Sequence, residues 1–381
     1  MKKLIMLLMC AVLVIALASC SLLESAATPG KDGTDGIIYD VSLDGTYAAV
    51  VGYTGTSERV IIASEYKGLP VTNIYAKSFY NNDNITSVII PDSVTRIGNW
   101  AFCDCSSLTS VTIGDSVTTI GDYAFEYCSS LTSVTIGDSV TTIGSSAFSY
   151  CDSLKAVYIT DVAAWCNISF GSSSANPLCY AKNLYLNGEL ITELVIPDSV
   201  TTIDDWAFYY CDSLTSVTIL DSVTTIGNSA FECCSSLTSV TIPDSVTTIG
   251  YCAFSYCDSL TIVTIPDGVT TIGYYAFRYC TSLTNVTIPD GVTTIGYFAF
   301  YRCDSLTSVD IPDSVTMIGS YAFSYCDSLT SVIFEDPTGW WCADSADATS
   351  GTAISESDLA NASTAAKYLR SSYYDKFWFK D

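Results

Sequence analysis

LTSVTIGDSVTTIGDYAFEYCSS, residues 108–130, is one copy of a unit that recurs along most of the chain. Ala-Phe pairs begin at Ala101, Ala124 and Ala147, then at Ala207, Ala230, Ala253, Ala276, Ala299 and Ala322, 23 residues apart within each run. Ser78-Phe79 adds an imperfect earlier copy, giving about ten coils. Val111 and Ile113 alternate with Ser110 and Thr112, the period of a half-buried strand. Val117 to Ile120 reads as a second extended piece, Gly121 ends it, and Tyr123 to Cys128 is compatible with a helical turn. The Gly-Asp-Ser or Pro-Asp-Ser between the two extended pieces is turn chemistry. Each unit offers about seven apolar side chains worth roughly 1.5–3 kcal/mol apiece when buried. Ordering the backbone costs on the order of 1–2 kcal/mol per residue. The terms are comparable, so a lone unit is marginal, whereas stacked units share one continuous core. At ~4.8 Å per coil the stack is a rod or arc about 50 Å long.

Leu108-x-x-Val111-x-Ile113 fits the L-x-x-L-x-L core of leucine-rich repeats. The fuller unit SLTSVTIPDSVTTIGxxAFxxC resembles the BspA-like class of these repeats, found in surface proteins of anaerobic bacteria. The resemblance covers roughly 71–334 and is strongest over 195–334. Ser116 and its equivalents stand where other leucine-rich repeats carry Asn or Cys, and the Cys here precedes the Leu, as in the BspA-like variant. The resemblance implies a leucine-rich-repeat solenoid, a right-handed arc with a parallel β-sheet and short extended or helical segments on its other side. It also implies an adhesin or interaction scaffold that binds host matrix or surface proteins, or other cell-surface material, glycans included.

Lys2-Lys3, the uncharged apolar run from Leu4 and Leu17-Ala18-Ser19-Cys20 make an export signal. Those last four residues resemble the bacterial lipobox, which predicts a signal peptide over 1–19 and lipid attachment at Cys20. The expected location is the bacterial outer membrane or cell surface, with membrane contact only through the lipid. Residues 20–36 then read as a flexible tether. Residues 37–70 read as a β-rich N-terminal cap with a hairpin at Asp44-Gly45. Repeats follow over 71–159 and 191–334, separated at 160–190 by an irregular insert. The insert is either a longer coil that shares the core or a loop that carries binding residues. Residues 335–381 read as a C-terminal cap, with an aromatic contact patch as the alternative.

The net charge is −25 with no histidine. Such a field repels phosphate backbones, so nucleic acid is excluded as a partner. Without histidine, Ser-His-Asp and Cys-His nucleophilic systems are excluded too, and the chain is read as a non-enzyme without cofactor. Nine of the seventeen cysteines, Cys105, Cys128, Cys151, Cys211, Cys234, Cys257, Cys280, Cys303 and Cys326, hold one position per coil. That makes them a ladder of small buried hydrophobes rather than a metal site, which would need a singular cluster. The acids Asp92, Asp115, Asp138 and their later equivalents also recur once per coil, as turn residues do.

The candidate binding face is the outward side of the first strand. It comprises Ser110, Thr112, Ser133, Thr135, Ser216, Thr218, Ser239, Thr241, Thr264, Asn285, Thr287, Ser308 and Asp310. Trp165, Phe170 and Tyr185 are candidate contacts on the insert. A carbohydrate-capture lipoprotein is the competing reading, with Trp165, Trp340 and Trp341 stacking on sugars. A structural envelope protein without specific ligand is a further one.

Overall fold

A computed structural model describes residues 33–381; the signal segment, Cys20 and the tether up to residue 32 lie outside them. The described chain is a β-solenoid of about 12 turns built on parallel strands. One core runs through it from Ala48 to Trp378.

Each regular coil has three sides. On the first, Ser87, Ser110 and Ser133 stand side by side in parallel register, as do Val88, Val111 and Val134. The alternation puts every such Val inside and leaves the flanking residues on the outer face. On the second side, Ile97, Ile120 and Ile143 form another parallel ladder. The second extended piece is therefore itself a sheet, not merely a return segment. Thr side chains reinforce both sides: the hydroxyls of Thr109 and Thr118 donate to the carbonyls of Thr86 and Thr95 one coil back.

The third side corrects the sequence reading. No helix forms over Tyr123 to Cys128, because Tyr123 and Tyr127 both take φ of 58°. That conformation is unfavourable for residues with a Cβ. It is held because the N–H groups of Tyr123, Phe125 and Tyr127 donate to Ser145, Ala147 and Ser149 of the next coil. A helix would have turned these donors back into its own coil. The glycine that opens this side has a steric role: a Cβ on Gly250 would lie 2.6 Å from the Gly227 carbonyl carbon. Inside, Phe208, Phe231, Phe254, Phe277, Phe300 and Phe323 stack with ring centroids 5.2–5.5 Å apart. Beside them each column cysteine is fully buried, and Cys257 Sγ lies 3.2 Å from the Phe231 carbonyl. The cysteines of the described residues are free thiols.

The irregular region is a longer coil. Val157 pairs with Leu184, 27 residues on, and Ser169-Phe170 extends the second ladder beside Thr142-Ile143. A short helix, Val162–Cys166, capped by the Asp161 carboxylate, replaces the usual turn. The tight turn at Asn187-Gly188 then sends Glu189–Leu190 back antiparallel on Tyr185-Leu186 before the regular coils resume at Glu193–Ile196. At the C-terminus, Phe377–Lys380 pairs antiparallel with Met317-Ile318 and with Trp340–Ala343, and Trp378 is buried there. At the other end the body begins earlier than the tether boundary at 36. Thr34 N–H donates to the Ile61 carbonyl at 2.8 Å, and Ile61 N–H donates to the Thr34 hydroxyl at 2.7 Å. Those bonds occupy an edge of Arg59–Ile61, which is already a rung of the first ladder.

Candidate functional site

The outer face of the first ladder carries two columns of side chains per strand, so the register decides which residues meet. Ser110 and Ser133 are neighbours, as are Thr112 and Thr135. Ser216 sits beside Ser239 and Thr218 beside Thr241. Ile262 precedes Asn285 in the first column and Thr264 precedes Thr287 in the second. Ser308 and Asp310 lie in the same columns next to Ser331 and Ile333. All thirteen residues of the candidate face are exposed or half-exposed. Eleven of them form a hydroxyl lattice that can donate and accept hydrogen bonds without carrying charge, Asn285 adds an amide, and Asp310 adds the one carboxylate.

The three insert candidates separate. Trp165 and Phe170 belong to the core, 1% and 5% exposed, with their rings edge-to-face at 5.6 Å. The Trp165 indole N–H donates to the Ala207 carbonyl at 2.8 Å. They are therefore not surface contacts: the wider coil encloses more volume than the regular one, and these large rings fill it. Asn176, also buried, donates to the Trp206 and Ala207 carbonyls and ties the wide coil to the next. Tyr185, in contrast, stands on the outer face in the threonine column, beside Tyr158, with ring centroids 4.9 Å apart. Leu190 pairs with Tyr185 across the hairpin and is 42% exposed, and Val195, which stands beside Thr218 on the strand after the hairpin, is 56% exposed.

The register thus brings Tyr185 onto the same face as the Ser-x-Thr lattice and sets Tyr158 on one side of it and Leu190 on the other. Those two, and exposed Val195, were missed from sequence. Their signal was a break in the repeat, Tyr158 standing where Thr112 and Thr135 stand. Trp340 is likewise buried, and Trp341 is half-buried against Phe379 at 4.4 Å, its indole N–H bonded to Asp381.

The acidic column behaves as turn chemistry. Asp115 N–H donates to the Asp92 carboxylate one coil back. Burial and the neighbouring Asp92 and Asp138 raise the Asp115 carboxyl above its ordinary range. Among the described residues no group of three His, Cys, Asp or Glu is placed to hold a metal ion. No described helix is long and apolar enough to cross a membrane.

The family model for the BspA type leucine rich repeat region matches six times, over residues 72–176, 180–268 and 248–339. The chain belongs to that family. A BspA-type chain is thus read as a repeat scaffold of the protein-interaction kind. Among solved structures it is similar to a leucine rich cell surface protein from Faecalibacterium prausnitzii, at 26% identity over 82% of this chain and 96% of that one, TM-score 0.35. It is similar also to a leucine-rich repeat protein from Bacteroides ovatus, at 26% identity over 79% and 98%, TM-score 0.33. A third is the pneumococcal vaccine antigen PcpA, at 19% identity over 81% and 94%, TM-score 0.45. No curated protein matches the chain.

Proposed function

We propose that this BspA-type chain is an exported, Cys20-anchored surface adhesin that binds a protein through the outer face of its first ladder. The observation that carries the reading is the apolar centre formed by Tyr158, Tyr185 and Leu190 within a lattice that is mostly uncharged hydroxyls. An apolar, aromatic centre with a polar rim is the anatomy of protein–protein interfaces. Ser110, Thr112, Ser133 and Thr135 form the rim on one side, and Ser216, Thr218, Ser239 and Thr241 on the other. The more distant Thr264, Asn285, Thr287, Ser308 and Asp310 extend it. Catalysis has no part in the proposal. Sugar capture through Trp165, Trp340 and Trp341 loses its main support, since the first two rings are buried in the core and Trp341 is half-buried against Phe379.

The test uses the chain from residue 21, which retains every described residue of the core, against an array of matrix proteins, mucins and polysaccharides. The expected result is saturable binding to a protein, weakened about tenfold or more by Tyr185→Ala. Binding that ignores Tyr185→Ala, or that is confined to glycans, refutes this face as the site.

A further inference from the structure

The unit is nearly constant through SLTSVTI and SVTTIG but varies from coil to coil at the residues flanking Ala-Phe. The pair before it reads Asp122-Tyr123, Ser145-Ser146, Asp205-Trp206, Asn228-Ser229, Tyr251-Cys252, Tyr274-Tyr275 and Tyr297-Phe298. These positions all lie on the third side, the one closed by positive-φ turns. The first ladder repeats nearly the same chemistry at most rungs, whereas this side changes from coil to coil, so it too can tell one partner from another.

Over residues 251–325 this side becomes an array of rings. Tyr256 stacks on Tyr279 at 4.6 Å, and Tyr275, Phe298 and Tyr321 form a column at 5.1 and 4.6 Å. Tyr251, Tyr274 and Tyr325 are 49%, 53% and 46% exposed. The array already holds two cations of its own. The Arg278 guanidinium carbon lies 4.9 Å from the Tyr279 centroid, 5.3 Å from Tyr275 and 5.4 Å from Tyr256. Arg302 lies 5.2 Å from Tyr325 and 5.8 Å from Tyr279. Among the described residues neither forms an ion pair, and the Nε of each is buried without a hydrogen-bond partner. Ring faces receive these guanidinium groups, while Glu232 near Arg278 and Asp304 near Arg302 act at a distance without forming an ion pair. The chain around them carries −25, and Asp304 interacts electrostatically with both Arg302 and Asp327.

We propose that the ring array over 251–325 is a second docking surface, and that its partner is an arginine-rich basic segment of another protein. Exposed Tyr251, Tyr274 and Tyr325 offer such a segment the kind of contact that Arg278 and Arg302 already make within the chain. The negative field steers it in and sets the salt dependence. This site is independent of the face proposed above.

The test is titration of the chain from residue 21 with an oligo-arginine peptide, an oligo-lysine peptide of equal length and neutral dextran. Oligo-arginine is expected to bind more tightly than oligo-lysine and to weaken as salt rises. Replacing both Tyr251→Ala and Tyr274→Ala leaves the net charge unchanged and lowers oligo-arginine affinity about five- to thirtyfold, the loss of two exposed ring contacts. The paired Tyr251→Phe and Tyr274→Phe changes retain the ring and most of the affinity. Tyr185→Ala, which disables the other face, leaves it intact. Undiminished oligo-arginine binding by the double alanine variant overturns the proposal, because bulk charge then accounts for it. Dextran binding that exceeds oligo-arginine binding overturns it as well.

Discussion

Raising the pH tests the cysteine column directly, because nine buried thiols respond together. Burial pushes Cys105 and Cys211 up to about 12. The same cause raises Cys128, Cys151, Cys234, Cys257, Cys280, Cys303 and Cys326. An unfolded thiol ionises near ~8.5. A group whose folded value is raised contributes stability that is complete below its unfolded value and is lost as pH climbs toward the folded one. At about pH 9.5, one unit above the unfolded value, each thiol removes about 1.4 kcal/mol. Nine of them remove about 13 kcal/mol, against about 5–15 kcal/mol for the whole stability of an ordinary domain. The loss depends on the unfolded value alone while pH stays below the folded ones, so it does not hinge on how far each thiol is raised.

The assay is urea unfolding under reductant at pH 7.5 and pH 9.5, with iodoacetamide labelling as a parallel readout. The urea midpoint is expected to collapse between the two, and labelling of the column to appear only as the fold opens. Cys257→Ser keeps a donor to the Phe231 carbonyl but cannot ionise, so this variant loses about 1.4 kcal/mol less over the same interval. Coincident midpoints for the parent at the two pH values sink the reasoning.

Gly250→Ala places a methyl 2.6 Å from the backbone of the preceding coil, where 3.4 Å is ordinary contact. Relief stretches the 2.9 Å bonds from Gly250 N–H to Ile226 and from Tyr251 N–H to the Asn228 side chain. Two weakened bonds at roughly 0.5–1.5 kcal/mol each outweigh the ~0.4–1 kcal/mol gained by stiffening the unfolded chain. Urea unfolding is expected to show a net loss of about 1–2 kcal/mol, and a stabilised variant refutes the close-approach explanation. Phe254→Ala removes a ring stacked on both sides, whereas Phe323 has a stacking partner in Phe300 alone. The first is expected to lose about 3–5 kcal/mol and the second about 0.5–1.5 kcal/mol less, compared by denaturation. In the C-terminal segment, the Thr338 hydroxyl and Lys380 hold Asp336 at about 2. Its contribution is present above the unfolded carboxylate value and is lost as pH falls through about 2. Acid titration of Asp336→Asn is expected to flatten that limb, and an unchanged limb rules the contact out as its source.

The regular coils were legible because burial in a solenoid is periodic: Val111, Ile113, Val117, Ile120, Phe125 and Cys128 all lie inside. The fully buried cysteine column followed from the same period. The wide coil was less legible. Trp165, Phe170 and Tyr185 are all aromatic, and nothing in their local sequence says that two face inward and one outward. The third side misled for a different reason. Tyr123-Ala-Phe-Glu-Tyr has ordinary helical character, and its two positive-φ residues are stable only because the neighbouring coil takes up the amides.

The sequence alone therefore determined the repeat, its parallel stacking and the residues of its core, since a 23-residue period leaves an apolar stripe one arrangement in which to bury itself. It also determined that the Ser-x-Thr columns face outward, because strand alternation is a local property. Only the tertiary structure decided which side chains meet. The offset of 27 residues at the wide coil and the antiparallel return at Leu190 set Tyr158, Tyr185 and Leu190 together on one face. The coil-to-coil spacing stacked tyrosines from neighbouring turns around Arg278 and Arg302. Such contacts join residues one coil or more apart through backbone geometry that no local stretch of the chain encodes.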